Sequence, residues 1–525
     1  MKSIIVKYSL ILFSALMLLA GACTDLEEEV YSEVISENFV PTENDLPSLI
    51  APVYTVMRPM MAGWQGYFDV QEESADQIIT PVRPNGWYDG GTYQRMHQHA
   101  WTSLQWQPTN LWNNCYNGIN TANRVLYQLE SGEIPLEEGK EELLAELKVA
   151  RAFFYYILLD NHGNVPIVTD FTATELPLQS TRQQVYDFVV SELTTNIPLL
   201  TETADQTTYG RFNKWAGKTI LAKVYLNSEV YVDEANWEAV IEQCDDIINS
   251  GAYMLEPLYK DNFITNNENS REMIFAVPYD DILATGNLIH MKTLDPISQR
   301  VFNMLAQPWG GNCAVPQFIN TYDTADIRLT DTWIQGPQIG PAGTELINYV
   351  NYVESMDESE SNQGYRIGKY EIIEGARGSL SNDFPVFRYA DVLMMKAEAL
   401  LRTGQADAAA ELVTQVRSRA FADPAKAKVT GAELMEGSSY QYGYWESGEI
   451  DQVNGGADIP YGRFLDELGW EFAAEAHRRQ DLIRFGVFST KTWFQHRPSS
   501  ADKALFPIPD AEINKNPNLK QNPGY

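Results

Sequence analysis

The sequence predicts a mostly α-helical fold, a scaffold of helical hairpins broken by long irregular inserts, and three observations carry that prediction. Segment 141–159 sets Leu143, Leu147, Ala150, Phe154 and Leu158 at steps of four and three, one apolar stripe of an amphipathic helix. Two further stretches read as hairpins of about 34 residues each, which is the tetratricopeptide period. Between the helices lie inserts near 62–110, 252–312, 335–385 and 424–460, rich in Gly, Pro, Asn, Asp and aromatics. Loops of that length are uncommon unless they carry function.

At the N-terminus, Lys2 and Lys7 precede an apolar run from Tyr8 to Ala20, and the small residues Ala20, Gly21 and Ala22 lead to Cys23. A basic start, a short apolar core and small residues before a cysteine make residues 1–22 a lipoprotein signal peptide, with Cys23 the lipid anchor of the mature chain. The apolar run is shorter than the roughly 20 residues a helix needs to cross a bilayer, and no later stretch comes closer. An acidic tether over 23–40 follows, and residues 41–525 form a single domain.

The first hairpin pairs a helix over 215–228 with one that carries Trp237, Val240, Ile241, Cys244, Ile247 and Ile248 after Asp233 and stops at Gly251. The second spans 388–420: Leu393, Met394, Ala397, Leu400 and Leu401 form one stripe, Gly404 interrupts, and Ala409, Val413, Val416 and Ala420 form the next. Repeat consensus letters are poorly kept, so these are degenerate repeats or unrelated hairpins; both readings give stacked helices. A helix over 463–485 is expected from Leu465, Leu468, Phe472 and Leu482, with Glu475 and Arg479 as an i,i+4 ion pair and Gly486 as the stop. The Pro- and Asn-rich end of the chain reads as an ordered tail on the surface.

The formal charge of −33 becomes −35 when the signal leaves with Lys2 and Lys7, which disfavours nucleic acid and suits neutral or cationic ligands. Cys115, Cys244 and Cys313 are odd in number and far apart, so they suggest neither a disulfide framework nor a zinc site, and all three read as structural. Phosphate-binding, hydrolase-elbow, zinc-protease and dinucleotide motifs are all missing. Glu72 and Asp76 are a carboxylate pair of the kind a glycosidase needs, but with 71 acidic residues such pairs arise freely. His97 and His99 share an extended segment without the further ligands a metal requires. No cofactor and no metal are expected.

The aromatic clustering stands out. Trp64, Trp87, Trp101, Trp106 and Trp112 put five of the twelve tryptophans in 49 residues, with Tyr67, Phe68, Tyr88 and Tyr93 among them. The run from Arg83 to Gly91, RPNGWYDGG, punctuates a turn that lifts Trp87 and Tyr88 off the scaffold, flanked by Arg83 and Asp89. An aromatic face suits the C–H face of a sugar, and neighbouring Asp, Asn and Arg suit its hydroxyls. Trp101, Trp106 and Trp112 read as core instead. A second candidate wall begins at Tyr279, Asp280 and Asp281 and ends at Trp309, held between Pro308 and Gly310; the run YQYGYW at 440–445 is a third, or a protein contact.

The tail LFPIPDAEINKNPNLKQNPGY (505–525) resembles the closing signature of the SusD/RagB family of surface glycan-binding lipoproteins of Bacteroidetes. GWEFAAEAHRRQDLIRFG (469–486), FRYADVLMMKAEAL (387–400), ARAFFYYILLDNHGNVPIVTD (150–170), WNNCYNGINTANRVL (112–126) and the Asp326-Ile-Arg328 step are similar to further landmarks, in family order over the whole mature chain. The resemblance implies a SusD-like fold with tetratricopeptide-like helix pairs and a loop-rich ligand-binding part. It implies binding without catalysis, and a SusC-like TonB-dependent transporter in the outer membrane as partner. Two regions carry over as ligand loops, here 83–93 and 279–312; with Trp64 from the aromatic cluster, Arg83, Trp87, Tyr88, Asp89, Tyr93, Tyr279 and Trp309 are the candidate ligand-binding residues. Asp25 and Glu27 to Glu29 resemble a surface-export signal, which places the lipid-anchored chain on the cell exterior. The expected function is capture of oligosaccharides for that transporter; a peptide or glycopeptide receptor of the same fold, or a lipid-anchored glycosidase, are the alternatives.

Overall fold

The computed structural model describes residues 45–525 apart from Gln65, Asn85, Gly86 and Gln452. The signal, Cys23 and the acidic tether lie outside the described residues.

Helices α1 (Leu46–Thr55), α2 (Tyr67–Glu72) and α3 (Thr92–His97) precede the scaffold, which runs through α4 (Trp106–Glu130), α5 (Lys140–Asn161), α6 (Arg182–Asn196), α7 (Lys214–Leu226) and α8 (Trp237–Ser250). After a long excursion come α9 (Ile289–Thr293), α10 (Tyr389–Arg402), α11 (Ala406–Arg417), α12 (Gly462–Phe472) and α13 (Arg478–Arg484). Each of α4 to α8 packs on the next, α10 packs on α8, and α11 closes on α10. The stack of antiparallel helices expected from the hairpins is therefore formed.

The local signals are legible at each joint. Helix α5 starts with Glu141 and Glu142 at its positive end and is buried nearly all round from Ala145 onward, which makes it the centre of the core. Gly118 lets α4 lie against it, because a Cβ there would sit 2.4 Å from the Phe154 ring. A capping box of Thr181 and Gln184 opens α6, and Gly251 and Gly404 end α8 and the α10 turn with φ of 65° and 80°. Cys115, Cys244 and Cys313 are free and buried.

Among the described residues the strands of the excursions pair two by two and antiparallel: β1 (Ile78–Ile79) with β3 (Cys313–Ala314), β2 (Met273–Val277) with β8 (Phe384–Arg388), β4 (Trp333–Ile334) with β7 (Arg366–Ile367), β5 (Gly336–Ile339) with β6 (Glu345–Tyr349), and β9 (Tyr444–Glu446) with β10 (Glu449–Asp451). The β1–β3 pair matters most here, since it joins the 62–110 insert to the end of the 279–312 insert in register Ile78 to Ala314.

Two expectations need correction. The helix over 463–485 is broken: α12 ends at Phe472, Ala474 and Ala476 take φ of 61° and 63°, and α13 starts at Arg478. Left-handed alanines cost about 1–2 kcal/mol each. The break is held because Lys369 donates to the freed carbonyls of Glu471 and Ala473, and the Tyr370 hydroxyl to that of Ala474. Glu475 consequently pairs with Lys369 and Arg388, not Arg479, and Arg479 reaches the tail at the Ala504 carbonyl. The YQYGYW run is mostly core, not a wall: Tyr440 and Tyr442 stack at 4.2 Å with their hydroxyls on Asp76, and Trp445 donates to the Val353 carbonyl.

The tail is ordered as expected. Asn522 donates to the carbonyls of His162 and Phe506, Asn516 to that of Pro177, and Tyr525 to that of Leu505. Asparagine amides thus fasten the last residues to α5 and the loop behind it.

Candidate functional site

Three tryptophans from two inserts meet where those inserts join. Trp64 stands between Gly63 and Gly66, whose φ values of 119° and 145° admit no other residue easily; a Cβ on either would also crowd the backbone of Ile289 or Leu111. Trp87 precedes Asp89, Gly90 and Gly91, three successive left-handed residues that turn the chain into α3. Trp309 is placed by its amide on the Met291 carbonyl, and Gly311 by its amide on that of Lys292. The centroids of Trp64 and Trp309 lie 4.7 Å apart at 67°, those of Trp87 and Trp309 6.3 Å apart at 26°, and those of Trp64 and Trp87 6.2 Å apart at 46°. All three residues are half-buried, so each keeps part of its surface exposed.

Beneath the cluster the support is rigid. Gly311 lies directly against Trp87, where a Cβ would be 3.0 Å from the indole and 2.9 Å from the Lys292 carbonyl. Tyr93 packs under Trp87 and edge-on to Trp106. Lys292 is fully buried, sits 4.5 Å from the Tyr93 ring centre and pairs with Asp69 and Glu73 of α2 and its end. Burial alone would take its proton, but Asp69 and Glu73 hold Lys292 charged well above the usual lysine range. Burial also raises Asp69 and Tyr93, and Tyr93 stays a phenol.

The sequence candidates divide on burial. Trp64, Trp87 and Trp309 come together, and Tyr88 and Asp89 beside them are exposed, Tyr88 to 53%. Arg83 is removed from the ligand set: it is buried, and its guanidinium is spent on the carbonyls of Gly311, Glu360 and Gln363, which ties the two inserts together. Tyr93 is the floor of the cluster, not its surface. Tyr279 lies apart, buried in the hydrophobic core with its hydroxyl on the Arg58 carbonyl. Trp101 and Trp112 are buried as read, and Trp106 is half-buried at the cluster's edge.

Sequence reasoning passed over Lys292 and Gly311. Gly311 had a signal in the Pro-Trp-Gly-Gly run; a lone lysine in an unpatterned insert had none.

Two other candidate chemistries fall away on geometry. Glu72 is fully buried, one oxygen accepts the Ala476 amide, and burial raises its carboxyl to about 8. Asp76 is bound at both oxygens by Arg478. Neither carboxylate can reach a glycosidic bond. His97 and His99 are buried against Phe494, Ser74 and Ser499, and among the described residues no cluster of His, Cys, Asp or Glu could hold a metal. No helix among them is long and apolar enough to cross a membrane.

Residues 249–525 match a family model described as the SusD family, and residues 26–226 one described as starch-binding associating with outer membrane. A SusD-like protein of Formosa agariphila is 24% identical over 99% of both chains, and the starch-binding protein SusD of Bacteroides thetaiotaomicron is 26% identical over 73% of this chain and 72% of its own. Among solved structures, a laminarin-binding SusD-like protein superposes with a TM-score of 0.71 at 21% identity, covering 92% of this chain and all of its own. Surface glycan-binding protein A of Bacteroides thetaiotaomicron in complex with laminarihexaose gives 0.71 at 19% identity over 92% and 99%.

Proposed function

The chain belongs to the SusD family, and from that premise we propose that it is a non-catalytic glycan receptor whose ligand rests on Trp64, Trp87 and Trp309. The observation that carries the reading is the meeting of these three half-buried indoles on a rigid floor. Aromatic faces bury sugar C–H surfaces without needing to move, and preorganisation reduces the entropy lost on binding. Tyr88 and Asp89 at the rim supply a hydroxyl and a carboxylate for sugar hydroxyls. The acidic chain favours a neutral glycan over a sulfated or uronate-rich one.

In this reading Cys23 carries the lipid that holds the protein at the outer membrane, facing outward, and a SusC-like TonB-dependent transporter receives the captured oligosaccharide. The relatives named for starch and laminarin binding support the ligand class. The buried state of Glu72 and Asp76 argues against catalysis by that pair. Affinity electrophoresis through a panel of neutral polysaccharides, followed by calorimetry on the best one, tests it. Retardation by at least one polymer that is lost in Trp87→Ala is expected; a panel with no retardation rejects the receptor reading.

A further inference from the structure

The outward face of α4 begins at the aromatic cluster. Trp106 touches Tyr93 edge-on, and Tyr93 touches Trp87. From Trp106 the helical repeat brings Asn110, Asn113, Asn117, Asn120 and Tyr127 onto one stripe, since steps of three and four residues return to the same face. At about 1.5 Å per residue the stripe is about 31 Å long, and Asn113 to Asn120 covers about 10 Å of it.

The middle of this stripe lines a groove of about 1030 Å³, with Leu176 to Leu178 as one wall and Glu512 to Asn516 of the tail as the other. Asn113, Asn117 and Asn120 are exposed within it, and none of their amides takes part in a hydrogen bond among the described residues. Elsewhere asparagine amides are spent on carbonyls, as at Asn123, Asn213 and Asn267. At the far end, Tyr127 and Phe171 form an exposed aromatic pair with centroids 6.0 Å apart.

We propose that this face of α4 is a second glycan-binding track, continuous with the tryptophan cluster, that takes the flank of the same polysaccharide chain. An amide offers a donor and an acceptor together, which matches a sugar hydroxyl that donates and accepts. The helix stripe itself is neutral apart from Arg124, while Asp170, Glu175, Glu512 and Lys515 stand on the groove walls, and the stripe ends, as it begins, on aromatic rings. A chain held at both places gains by effective concentration, so the track raises affinity for polymers far more than for short oligosaccharides. The proposal rests on the glycan reading of the cluster.

The test compares wild type, Trp87→Ala, and Asn117→Ala with Asn120→Ala, in gels containing amylopectin, laminarin, galactomannan or yeast mannan, and by calorimetry with the hexasaccharide of the retarding polymer. Alanine at these exposed helix positions favours the helix, so folding is kept. The expected result is that the asparagine double variant loses tenfold or more in polymer affinity with hexasaccharide binding changed less than twofold, whereas Trp87→Ala weakens both. Unchanged polymer binding in the double variant overturns the track and leaves the cluster standing. Equal loss for polymer and hexasaccharide overturns it too, because the asparagines would then belong to the first site. No retardation of wild type by any polymer removes the glycan reading and the track with it. A capped Leu-Lys repeat peptide that binds wild type and is lost in the double variant would replace the glycan by a polypeptide.

Discussion

Trp64 and Trp309 meet edge to face with their centroids 4.7 Å apart, although one lies just before α2 in the first insert and the other after α9 in the second. A contact of this kind contributes about 0.5–1.5 kcal/mol beyond the area it buries. It therefore fixes the two rings against each other. Truncating Trp309 should remove a stacking face and release Trp64 together. Trp309→Ala is expected to lower affinity for the best neutral glycan by tenfold or more, about 1.4 kcal/mol, with far-UV circular dichroism unchanged. Calorimetry on the variant checks it, and an unchanged affinity would place the ligand elsewhere.

The plane of Trp64 stands at 46° to Trp87 and 67° to Trp309. A flat ribbon can lie on one or two of these rings but not on all three, whereas a chain that turns can follow them. Curved malto- or laminari-oligosaccharides should therefore bind better than the flat cello-series of equal length. Competition calorimetry with the three hexasaccharides reads this directly; a preference for cellohexaose contradicts the three-ring platform.

Gly311 is the narrowest point of the site. Its missing Cβ leaves room for both the Trp87 ring and the Lys292 carbonyl, and only one of these neighbours is a side chain that can swing away. Gly311→Ala should push Trp87 off its seat at a cost of about 1–3 kcal/mol. Tryptophan emission shifted to the red, with weakened glycan binding and a lower urea midpoint, is the expected outcome. Wild-type emission and affinity in this variant would mean that the loop absorbs the methyl.

Much of the scaffold was legible because helices announce themselves by period: the stripes at 141–159 and 388–420 became α5, α10 and α11, and Gly251 and Gly404 ended turns where expected. The break in 463–485 was hidden, because apolar periodicity continues across it; what opens the helix is Lys369, a residue about a hundred positions away, capturing carbonyls. The site was half legible for the same reason. Glycines and prolines around Trp87 and Trp309, and the clustering that singled out Trp64, pointed to three rings that the structure brings together. Arg83 and Tyr279 looked identical in sequence to ligand residues, and only the long-range pairing of the inserts shows that Arg83 holds Gly311, Glu360 and Gln363.

That pairing depends on a charge buried at the base of the first insert. Arg478 grips Asp76 through Nε at 2.7 Å and Nη2 at 2.9 Å, both side chains being essentially inaccessible. Removing one partner of such a pair strands the other and costs about 3–5 kcal/mol. Asp76→Ala should lower the urea midpoint sharply and also weaken glycan binding, since the segment it anchors carries Trp87. Arg478→Met with Asp76→Leu should recover much of the stability. A single Asp76→Ala variant as stable as wild type would show that the guanidinium finds another partner.

All six histidines are pushed down, burial being the first cause in each; His97, His162 and His290 fall to about 4 and His99 to about 3. Above pH 6.5 both native and unfolded chains hold them neutral, so they contribute nothing to the pH dependence there. As pH falls through 6.5 the unfolded chain takes up protons that the native chain refuses, and stability drops, the contributions of His97, His162 and His290 being lost by about pH 4 and those of the others lower still. Burial would raise Glu272 and Glu467, but Arg419 and Arg388 in the first case, and Arg328 and Arg417 in the second, overcome it and hold both near 2. Their contribution is present above the unfolded value of 4.5 and is lost as pH falls toward 2, which extends the acid decline. Glu72 runs the other way. Burial raises it to about 8, so its contribution is complete below 4.5 and is lost as pH rises through 8. Asp383, which burial raises to about 6, and the raised carboxyls of Asp69, Asp391, Asp466 and Asp481 act with Glu72 and temper the acid decline; the urea midpoint should be highest near neutrality, fall from pH 6.5 to 4.5, and decline gently above 7. In Glu72→Gln the alkaline decline should flatten while the acid decline stays. Urea titrations at pH 8.5, 7, 5.5 and 4.5 measure both limbs, and equal midpoints at pH 7 and 5.5 would mean that the histidines are not held neutral in the core.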